Sequence, residues 1–436
     1  MIVRILLAAF TILLCAASPQ QRALLLSGKP GPSLSCDFIT TPTVTAGTIA
    51  AGPKCPPITF SRADCNPTGA CATYFDAAGV MQTAATNVAR FDYDPVTLVS
   101  RGLLIEEARQ NILRNSTMVG AVAGTPGTLP TNWVFSGTAV TRQLVSISTV
   151  NGMSGITLRF SGTPNTTAAQ QLFTDDGTIT ISAGSAYTST FYVSLVAGTP
   201  PQFTLRLDQE AGGTVFTPSS SLTRYENTRT ATGTVGRSTL RWAYADTVTP
   251  VDFTIFVAMP QLELGAFATS AIPTTTAAAT RAADVASMPT GPWFNAAQGT
   301  LAVEYQVPQA SIPALNPGPI EIDDGTTANL IGVRQNTPNT TLISGYIANA
   351  SQGGMTFATS WAANTPSRVG FTYNGTAITT SINGAATTGG SFSALPTGLT
   401  RVSFGTVRGG TINGAISRVR YWPRAQAGGE LQGNTR

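Results

Sequence analysis

Long stretches of the chain alternate apolar and polar residues with a period of two, which predicts β-strands with one buried and one solvated face. Between residues 115 and 276 these runs are separated by clusters of Gly, Pro, Asn and Ser, the residues that favour turns. The pattern therefore predicts one β-sandwich over 115–276. Its best predicted strands are Ile156–Ser161, Thr178–Ser182, Tyr187–Ala197, Phe203–Leu207, Thr239–Ala245 and Asp252–Ala258.

A second sandwich is predicted over residues 293–436. The dipeptides Asn374-Gly375 and Asn383-Gly384 mark two of its hairpins, because both residue types tolerate the positive φ of tight hairpin turns. Residues 277–292 contain two prolines and no apolar period, so they predict a linker between two separate folding units. The best strands are Thr300–Val307, Arg368–Tyr373, Ala377–Asn383, Arg401–Gly405 and Ala415–Trp422.

Residues 18–114 predict an N-terminal arm followed by a turn-rich junction module from residue 59. Tyr74–Asp76 followed by Gly79 predicts a hairpin. Phe91–Asp94 alternates, which places its two aromatic residues on one strand face and its two acids on the other. A turn is expected at Asp94-Pro95, ending at Gly102. Residues 103–113 fit a helix as well as a strand.

Composition narrows the class of protein. The chain has 436 residues, 43 of them Gly and 28 Pro, only 11% charged residues and no histidine. This profile is typical of a β-rich exported or virion protein with several domains. The net charge is only +4 and the basic residues are scattered, so no nucleic-acid partner is expected. The fold class predicted is all-β, with two jelly-roll-type sandwiches in tandem after an extended, turn-rich module.

Residues 1–17 have the pattern of an export signal. Arg4 supplies a positive charge, Ile5–Leu14 is an apolar core too short to span a bilayer comfortably, and cleavage is expected after Ala17. Lipidation of Cys15 is disfavoured because Leu14 is larger than the residue usual before a lipidated cysteine. The alternative is an N-terminal anchor helix that packs into a virion assembly.

Four cysteines remain after the signal-like segment, an even number that permits two disulfides in any of three connectivities. A pair formed by the last two is favoured, because the five residues between them include Asn66-Pro67 and Gly69 and can turn back. Zinc is disfavoured, since no pair has two-residue spacing and histidine is absent. Disulfides and signal both indicate an oxidising destination. The candidates are Cys36, Cys55, Cys65 and Cys71.

The sequence contains little catalytic chemistry. Without histidine, Ser-His-Asp and Cys-His mechanisms are excluded. Glycoside hydrolysis needs only two carboxylates, but the paired acids are adjacent in strands or precede turn-forming Gly, so structural roles are predicted and no catalytic residue is assigned. The pairs are Glu106-Glu107, Asp175-Asp176 and the group Glu321, Asp323 and Asp324.

Two kinds of ligand site are nevertheless candidates. Glu321 and Asp323 lie two apart on a predicted strand, share a face and could hold calcium, although ordinary packing is the favoured interpretation; no other cofactor is expected. Trp133 and Trp361 lie in less regular segments and could stack on a sugar ring, although core or edge packing is the favoured interpretation for each.

Several sequence strings resemble a module found in bacteriophage and prophage virion proteins, chiefly tail-fibre and head-spike proteins. The insertion Asp64–Cys71 departs from the short link usual between two of them. The sandwiches resemble, by pattern, carbohydrate-binding modules of the jelly-roll type and concanavalin-like or laminin-G-like lectin domains. The strings of the module are TFSRA, ATYFD, ARFDYDP and GLLIEEARQN within residues 59–111, and two later stretches resemble its usual companions, Pro260–Val285 and Ile412–Arg424.

The resemblance implies a non-enzymatic virion appendage that binds host cell-surface polysaccharide and contacts other virion proteins. It also implies a homo-oligomer, with a trimer as the specific expectation. The signal and the cysteines favour the alternative of an exported bacterial glycan-binding protein that is secreted or attached to the cell surface. A polysaccharide depolymerase is the third hypothesis.

Overall fold

The structure is a computed structural model that describes residues 30–40, 42–45, 47–65, 69, 71–208, 210–308, 317–336, 340–357 and 362–436. The signal-like segment 1–17 and Trp361 lie outside these ranges. Within them the chain is almost entirely β, which confirms the predicted fold class. No helix of the described residues is long and apolar enough to cross a membrane.

Nine strands precede the first predicted sandwich. They are β1 (Leu34–Asp37), β2 (Thr43–Thr45), β3 (Thr48–Ala50), β4 (Ile58–Ser61), β5 (Ala72–Phe75), β6 (Met81–Ala84), β7 (Arg90–Tyr93), β8 (Ser100–Ile105) and β9 (Arg109–Asn111). The stretch 103–113, which fitted either element type, therefore contains strand. β5 and β6 form the predicted hairpin, closed through Gly79 at φ +71°.

Ten strands form the inserted sandwich, our name for residues 134–264. They are β10 (Val134–Ser136), β11 (Thr141–Val150), β12 (Met153–Gly162), β13 (Gln170–Phe173), β14 (Ala186–Gly198), β15 (Phe203–Leu207), β16 (Thr214–Phe216), β17 (Thr223–Thr230), β18 (Ser238–Trp242) and β19 (Val251–Leu264). One sheet has the order β11-β12-β19-β14-β17 and the other β10-β13-β18-β15-β16. The predicted strand at 178–182 is wrong, since only an isolated bridge joins Thr180 to Val235.

The remaining elements follow in chain order. They are β20 (Ala279–Arg281), β21 (Val285–Pro289), β22 (Gln298–Gln306), β23 (Ile320–Asp323), β24 (Leu330–Asn336), β25 (Thr340–Ile347), β26 (Ala350–Phe357), β27 (Ser367–Asn374), β28 (Ala377–Ile382), β29 (Thr388–Ser391), β30 (Arg401–Phe404), β31 (Thr406–Val407), β32 (Gly410–Thr411), β33 (Gly414–Trp422) and α1 (Gly428–Asn434). Asn374↔Ala377 closes one predicted hairpin through Gly375 at φ +53°.

The second sandwich is built from both ends of the chain, and we call it the composite sandwich. One sheet has the order β29-β28-β27-β22-β33-β8-β7, with β1 also paired to β33. The facing sheet has the order β2-β3-β4-β21-β30-β23-β24-β25-β26. A single buried apolar cluster that includes Phe38, Phe60, Leu301 and Phe404 fills the space between them.

Two predicted segments therefore need correction. Residues 34–61 are not a separate arm, because β1 to β4 complete the sheets of the composite sandwich. Residues 277–292 are not a free linker, because β20 pairs with β9 and β21 lies between β4 and β30. The first sandwich is thus an insertion, and the β9–β20 ribbon is the place where the chain enters and leaves it. The sequence pattern does not reveal the insertion, because β9 and β20 pair with each other although they are far apart in the chain.

The junction module makes close backbone contact with the composite sandwich, and each of the two contains one disulfide. Gly102 has φ +102°, and a Cβ there would lie 2.2 Å from the carbonyl oxygen of Ile416, so β8 can approach β33 only with glycine. Gly102 lies inside β8 and does not end the preceding turn. The disulfides Cys36–Cys55 and Cys65–Cys71 are present, which confirms both the predicted number and the favoured pair.

Candidate functional site: a cleft between the two sandwiches

The β5–β6 hairpin packs on the outer face of the inserted sandwich. Phe75 and Tyr192 meet edge to face with ring centroids 6.3 Å apart, and Met81 belongs to the same buried cluster. A Cβ at Gly152, in the β11–β12 turn, would lie 2.2 Å from the carbonyl oxygen of Met81, so that turn touches the hairpin backbone directly. The junction module therefore joins the two sandwiches through apolar packing as well as through the chain itself.

Five buried charged side chains lie beneath this contact, and we call them the ion-pair cluster: Arg62, Arg90, Glu106, Arg281 and Asp284. Glu106 Oε2 lies 2.7 Å from Arg90 Nη1 and 3.0 Å from Arg281 Nη1. Asp284 contacts Arg62 at 2.9 Å and Arg90 at 2.5 Å. Each carboxylate thus accepts from two arginines, an arrangement that can offset the cost of burying the charges.

The ion-pair cluster also reaches the inserted sandwich. The backbone N–H and the hydroxyl of Ser270 both donate to Glu106 at 2.7 Å. The Ser270 hydroxyl oxygen in turn accepts from Arg90 at 2.8 Å and from Arg281 at 2.9 Å. Ser270 lies in the segment that leaves β19, so these contacts fix the inserted sandwich relative to the junction.

Burial alone would raise the pKa of Glu106, but attraction to Arg281 and Arg90 lowers it to about 2. Burial alone would lower the pKa of Arg90, but attraction to Asp284 and Glu106 outweighs this effect and raises the pKa above its usual value. Burial lowers the pKa of Arg62 and of Arg281, partly offset by Asp284 and Glu106 respectively. Glu106 therefore stays ionised in the folded protein.

Sequence reasoning missed the ion-pair cluster as a unit. All five residues nevertheless fall within strings quoted for their resemblance: Arg62 in TFSRA, Arg90 in ARFDYDP, Glu106 in GLLIEEARQN, and Arg281 and Asp284 in Pro260–Val285. The signal that could have shown it is the charge of these positions inside otherwise apolar strand patterns. Such charges need buried partners of opposite sign.

A cleft of about 420 Å³ opens above the ion-pair cluster, and we call it the junction cleft. Its walls come from the junction module, from the inserted sandwich and from the composite sandwich. The polar residues that line it are Thr73, Tyr74, Asp92, Arg101, Glu106, Tyr192, Thr223, Arg224, Glu226, Thr269, Ser270, Gln306, Asn364 and Asn413. A cleft of this size with convergent polar groups is the usual form of a small-ligand site.

Asp92 and Arg101 form a charged pair in one wall of the junction cleft. Arg101 Nη1 lies 2.9 Å from Asp92 Oδ2, and Nη2 lies 2.8 Å from Asp94 Oδ2. The backbone N–H of Phe75 donates to Asp92 at 2.9 Å. Burial raises the pKa of Asp92 although Arg101 opposes it. The predicted alternation of β7 holds, but the buried face carries Arg90 and Asp92 and the aromatic residues are half-buried.

The opposite walls offer more accessible hydrogen-bonding groups. Asn364 is exposed in a turn of the composite sandwich, with φ +54°. Glu226 on β17 has a side chain 48% exposed and lies 3.8 Å from Arg224. Gln306 at the end of β22 is half-buried. Amide, carboxylate and guanidinium groups around one cleft can donate to and accept from hydroxyl groups, while Pro95 and Val96 supply an apolar wall.

Trp133, one of the two predicted stacking tryptophans, does not line the junction cleft. Trp133 is 6% exposed, packs in the core of the inserted sandwich and donates its indole N–H to the carbonyl of Asn115 at 3.1 Å. Its burial corrects the prediction that it offers a free face to a sugar. The irregular segment around it suggested a surface loop, yet the indole turns inward from it. Trp361 lies outside the described residues, so its role stays a prediction.

The predicted calcium pair is also occupied by protein contacts. Asp323 accepts from Arg401 Nε at 2.8 Å, from the Ser403 hydroxyl at 2.8 Å and from the Gly325 N–H at 2.7 Å. Burial, with repulsion from Asp323, raises the pKa of Glu321 to about 8, so its carboxyl group is largely neutral at pH 7. The two side chains do share a face, but Asp323 already pairs with Arg401, and within the described residues no third acid is grouped with them as a calcium site would need.

The other paired acids have structural partners. Arg114 contacts Asp175 and Asp176, each at 2.5 Å, and Arg109 Nε lies 2.6 Å from Glu107. Asp324 accepts from the backbone N–H of Thr326 in a turn. In the described ranges no three His, Cys, Asp or Glu side chains are grouped as a metal site would need.

Comparisons with known proteins assign no family to this chain. No family model and no curated protein matches the chain. Domain 4 of AbnA, a GH43 extracellular arabinanase from Geobacillus stearothermophilus, is similar at 13% identity over 35% of this chain and 73% of that one, with a TM-score of 0.30. The CBM40 of a Ruminococcus gnavus sialidase is similar at 13% identity over 32% and 83%, TM-score 0.27.

Mouse laminin α1 domains LG4-5 are similar at 10% identity over 57% of this chain and 89% of that one, with a TM-score of 0.21. At TM-scores of 0.30 and below, these similarities carry no argument about this chain. The function is therefore argued from the chain's own residues.

Proposed function

We propose that this protein is a non-enzymatic, glycan-binding component of a phage-type virion appendage, and that the glycan occupies the junction cleft. The observation that carries the proposal is the cleft itself, in which amide, carboxylate and guanidinium groups from three parts of the chain converge beside an apolar wall. Sugars present hydroxyl groups next to apolar C–H faces, so they need both kinds of surface.

The virion assignment is supported by the strings that resemble tail-fibre and head-spike proteins. Their charged residues converge in the ion-pair cluster, which gives the strings one shared structural task. The alternative, an exported bacterial glycan-binding protein, is supported by the two disulfides, which indicate an extracellular or secreted protein. N-terminal sequencing of the isolated protein separates the two: a start at Ser18 supports export, and an intact Met1 in purified particles supports the virion.

A non-enzymatic role is supported by the structural partners of the paired acids. Asp92 and Glu226 are the carboxyl groups of the cleft that could still serve the depolymerase alternative, one with a raised pKa and one exposed. Shortening of a bound polysaccharide during long incubation would decide for that alternative.

The test is a glycan array probed with the full-length protein and with Asn364→Gly. Glycine keeps the positive φ and removes only the side chain. The matched control is Asn349→Gly, an exposed asparagine at φ +66° in another turn of the composite sandwich. We expect Asn364→Gly to weaken binding several-fold and Asn349→Gly to leave it unchanged. Absence of any glycan bound by the wild type would refute the proposal.

Multivalency follows from weak single sites. Each polar contact to a sugar replaces one made to water, so a single cleft contributes little net free energy. Several copies in a homo-oligomer, for which we propose a trimer, would supply avidity. Comparing the intact assembly with dissociated subunits on one array measures this gain.

A further inference from the structure

Three arginines lie together on the outer face of the composite sandwich, and none of them lines the junction cleft. Arg418 is on β33 and Arg368 on β27, and both lie opposite Glu304 of the central strand β22. Arg420 lies opposite Ala302 in the next outward-facing row. We call the shallow groove that these residues surround the arginine groove. Asn434 of helix α1 closes one side of it.

The arginines outnumber the acids that contact them. Glu304 lies between two of them, with its Oε2 3.3 Å from Arg368 Nε and 3.7 Å from Arg418 Nη1. Asp37 lies 3.4 Å from Arg418. These separations are long compared with the 2.5–3.0 Å of the ion-pair cluster. The Arg368 and Arg418 side chains are each 41% exposed, so N–H donors remain for a ligand.

Arg420 has no carboxylate partner within 4.0 Å among the described residues. It donates to the backbone carbonyl of Asn434 at 2.9 Å, and its guanidinium carbon lies 5.8 Å from the ring centroid of Trp422. Burial lowers its pKa, and repulsion from Arg418 and Arg368 adds to the effect. A half-buried cation beside two loosely paired ones favours an incoming anion.

We infer that the arginine groove binds the oxyanion group of an acidic glycan, a carboxylate or a sulfate. The planar guanidinium group presents paired N–H donors that match such oxygens. Ala302 is the small residue among the three side chains, while Glu304 restrains two of them. The choice of a glycan rests on the proposed function, but the groove and the cleft share no lining residue, so the groove is tested separately.

The experiment measures the Kd of the full-length protein for polygalacturonate, dextran sulfate and uncharged dextran at one salt concentration. Arg418→Gln should weaken binding of the preferred acidic polymer about tenfold, the loss expected for one charge-assisted contact. Glu304→Gln should strengthen it, because it frees two arginines and removes a competing anion. Arg159→Gln is the matched control: it removes the same charge from an exposed, bidentate pair with Asp252 in the inserted sandwich.

Each outcome decides the matter. Preference for polygalacturonate assigns a carboxylate, and preference for dextran sulfate assigns a sulfate. If Arg418→Gln and Arg159→Gln weaken polymer binding equally, the binding reflects general charge attraction and the inference is overturned. Binding of a DNA oligonucleotide, with no binding of either acidic polymer, also overturns it. No binding of either polymer also overturns it. If Asn364→Gly loses array binding and Arg418→Gln has no effect, the proposal for the cleft is supported and the inference about the groove is overturned. If Arg418→Gln weakens binding and Asn364→Gly has no effect, the inference about the groove is supported and the proposal for the cleft is overturned.

Discussion

Glu106 and Arg281 form a buried ion pair, 3.0 Å between Oε2 and Nη1, that joins the connection between β8 and β9, before the inserted sandwich, to β20 after it. Both side chains are almost fully inaccessible to solvent. The pair closes the base of the insertion beside the β9–β20 ribbon. It therefore connects the stability of the inserted sandwich with that of the composite sandwich and fixes the floor of the junction cleft.

Replacing Glu106 with Gln should be strongly destabilising. The substitution keeps the shape but leaves buried Arg281 without its close carboxylate, and Arg90 with Asp284 only. Removal of one partner from a buried pair costs about 3–5 kcal/mol. Urea unfolding measures the change. Asp252→Asn, which breaks the exposed pair with Arg159, is the control and should cost less than about 1 kcal/mol. Equal effects of the two variants would contradict a special role for the ion-pair cluster.

Limited trypsin digestion should leave the peptide bond after Arg281 intact. The sequence predicted a free linker at 277–292, but Arg281 is fully buried and both strands of this segment are paired. Protease cleavage requires local opening of the backbone, which that pairing opposes. Mass spectrometry of early fragments reads the cut sites. Early cleavage after Arg281, yielding two stable fragments, would restore the picture of two independent units.

The strands, hairpins and disulfides were predictable because their signals are local. Alternation along β14 and β19, the Asn374-Gly375 turn and the short Cys65–Cys71 loop are each read within a few residues. The insertion was not predictable in this way, since β1 pairs with β33 and β4 pairs with β21, both of which lie beyond the inserted sandwich in the chain. The junction cleft depends on that topology, so its residues could not be grouped from sequence.

Leu98 should be a site where glycine relieves backbone strain. It lies in the exposed turn between β7 and β8 at φ +58°, in the left-handed region that costs a non-glycine residue about 1 kcal/mol. Leu98→Gly should therefore be about 1 kcal/mol more stable than Leu98→Ala, because both remove the side chain and only glycine removes the strain. Thermal unfolding of the two variants gives the difference. Equal stability would show that the turn is not strained.

Loss of the Cys36–Cys55 disulfide should cost stability without changing the fold. The bridge closes a loop with a sequence separation of 19, for which the chain-entropy model gives about 3 kcal/mol. The double variant Cys36→Ser/Cys55→Ser tests this by urea unfolding under non-reducing conditions. The matching variant of Cys65 and Cys71, with a separation of 6, should lose less because its loop is shorter. The opposite order would contradict a mainly entropic contribution.

Glu321 should make the folded protein less stable as the pH rises from about 4.5 to about 8. Burial raises its pKa from 4.5 to about 8 in the folded protein, so the neutral form is the one that folding favours. The contribution to stability is complete below the unfolded pKa and is lost as the pH approaches the folded one, by up to about 1.4 kcal/mol per pH unit.

Glu321→Gln stays neutral and should still accept from the N–H of Arg408, now bound at 3.1 Å. Urea unfolding between pH 5 and 8 should show that the free energy of unfolding falls more steeply with pH in the wild type than in Glu321→Gln. The control Glu226→Gln, at an exposed position, should follow the wild type. Parallel stability curves for wild type and Glu321→Gln would show that the carboxyl group is ionised in the folded protein.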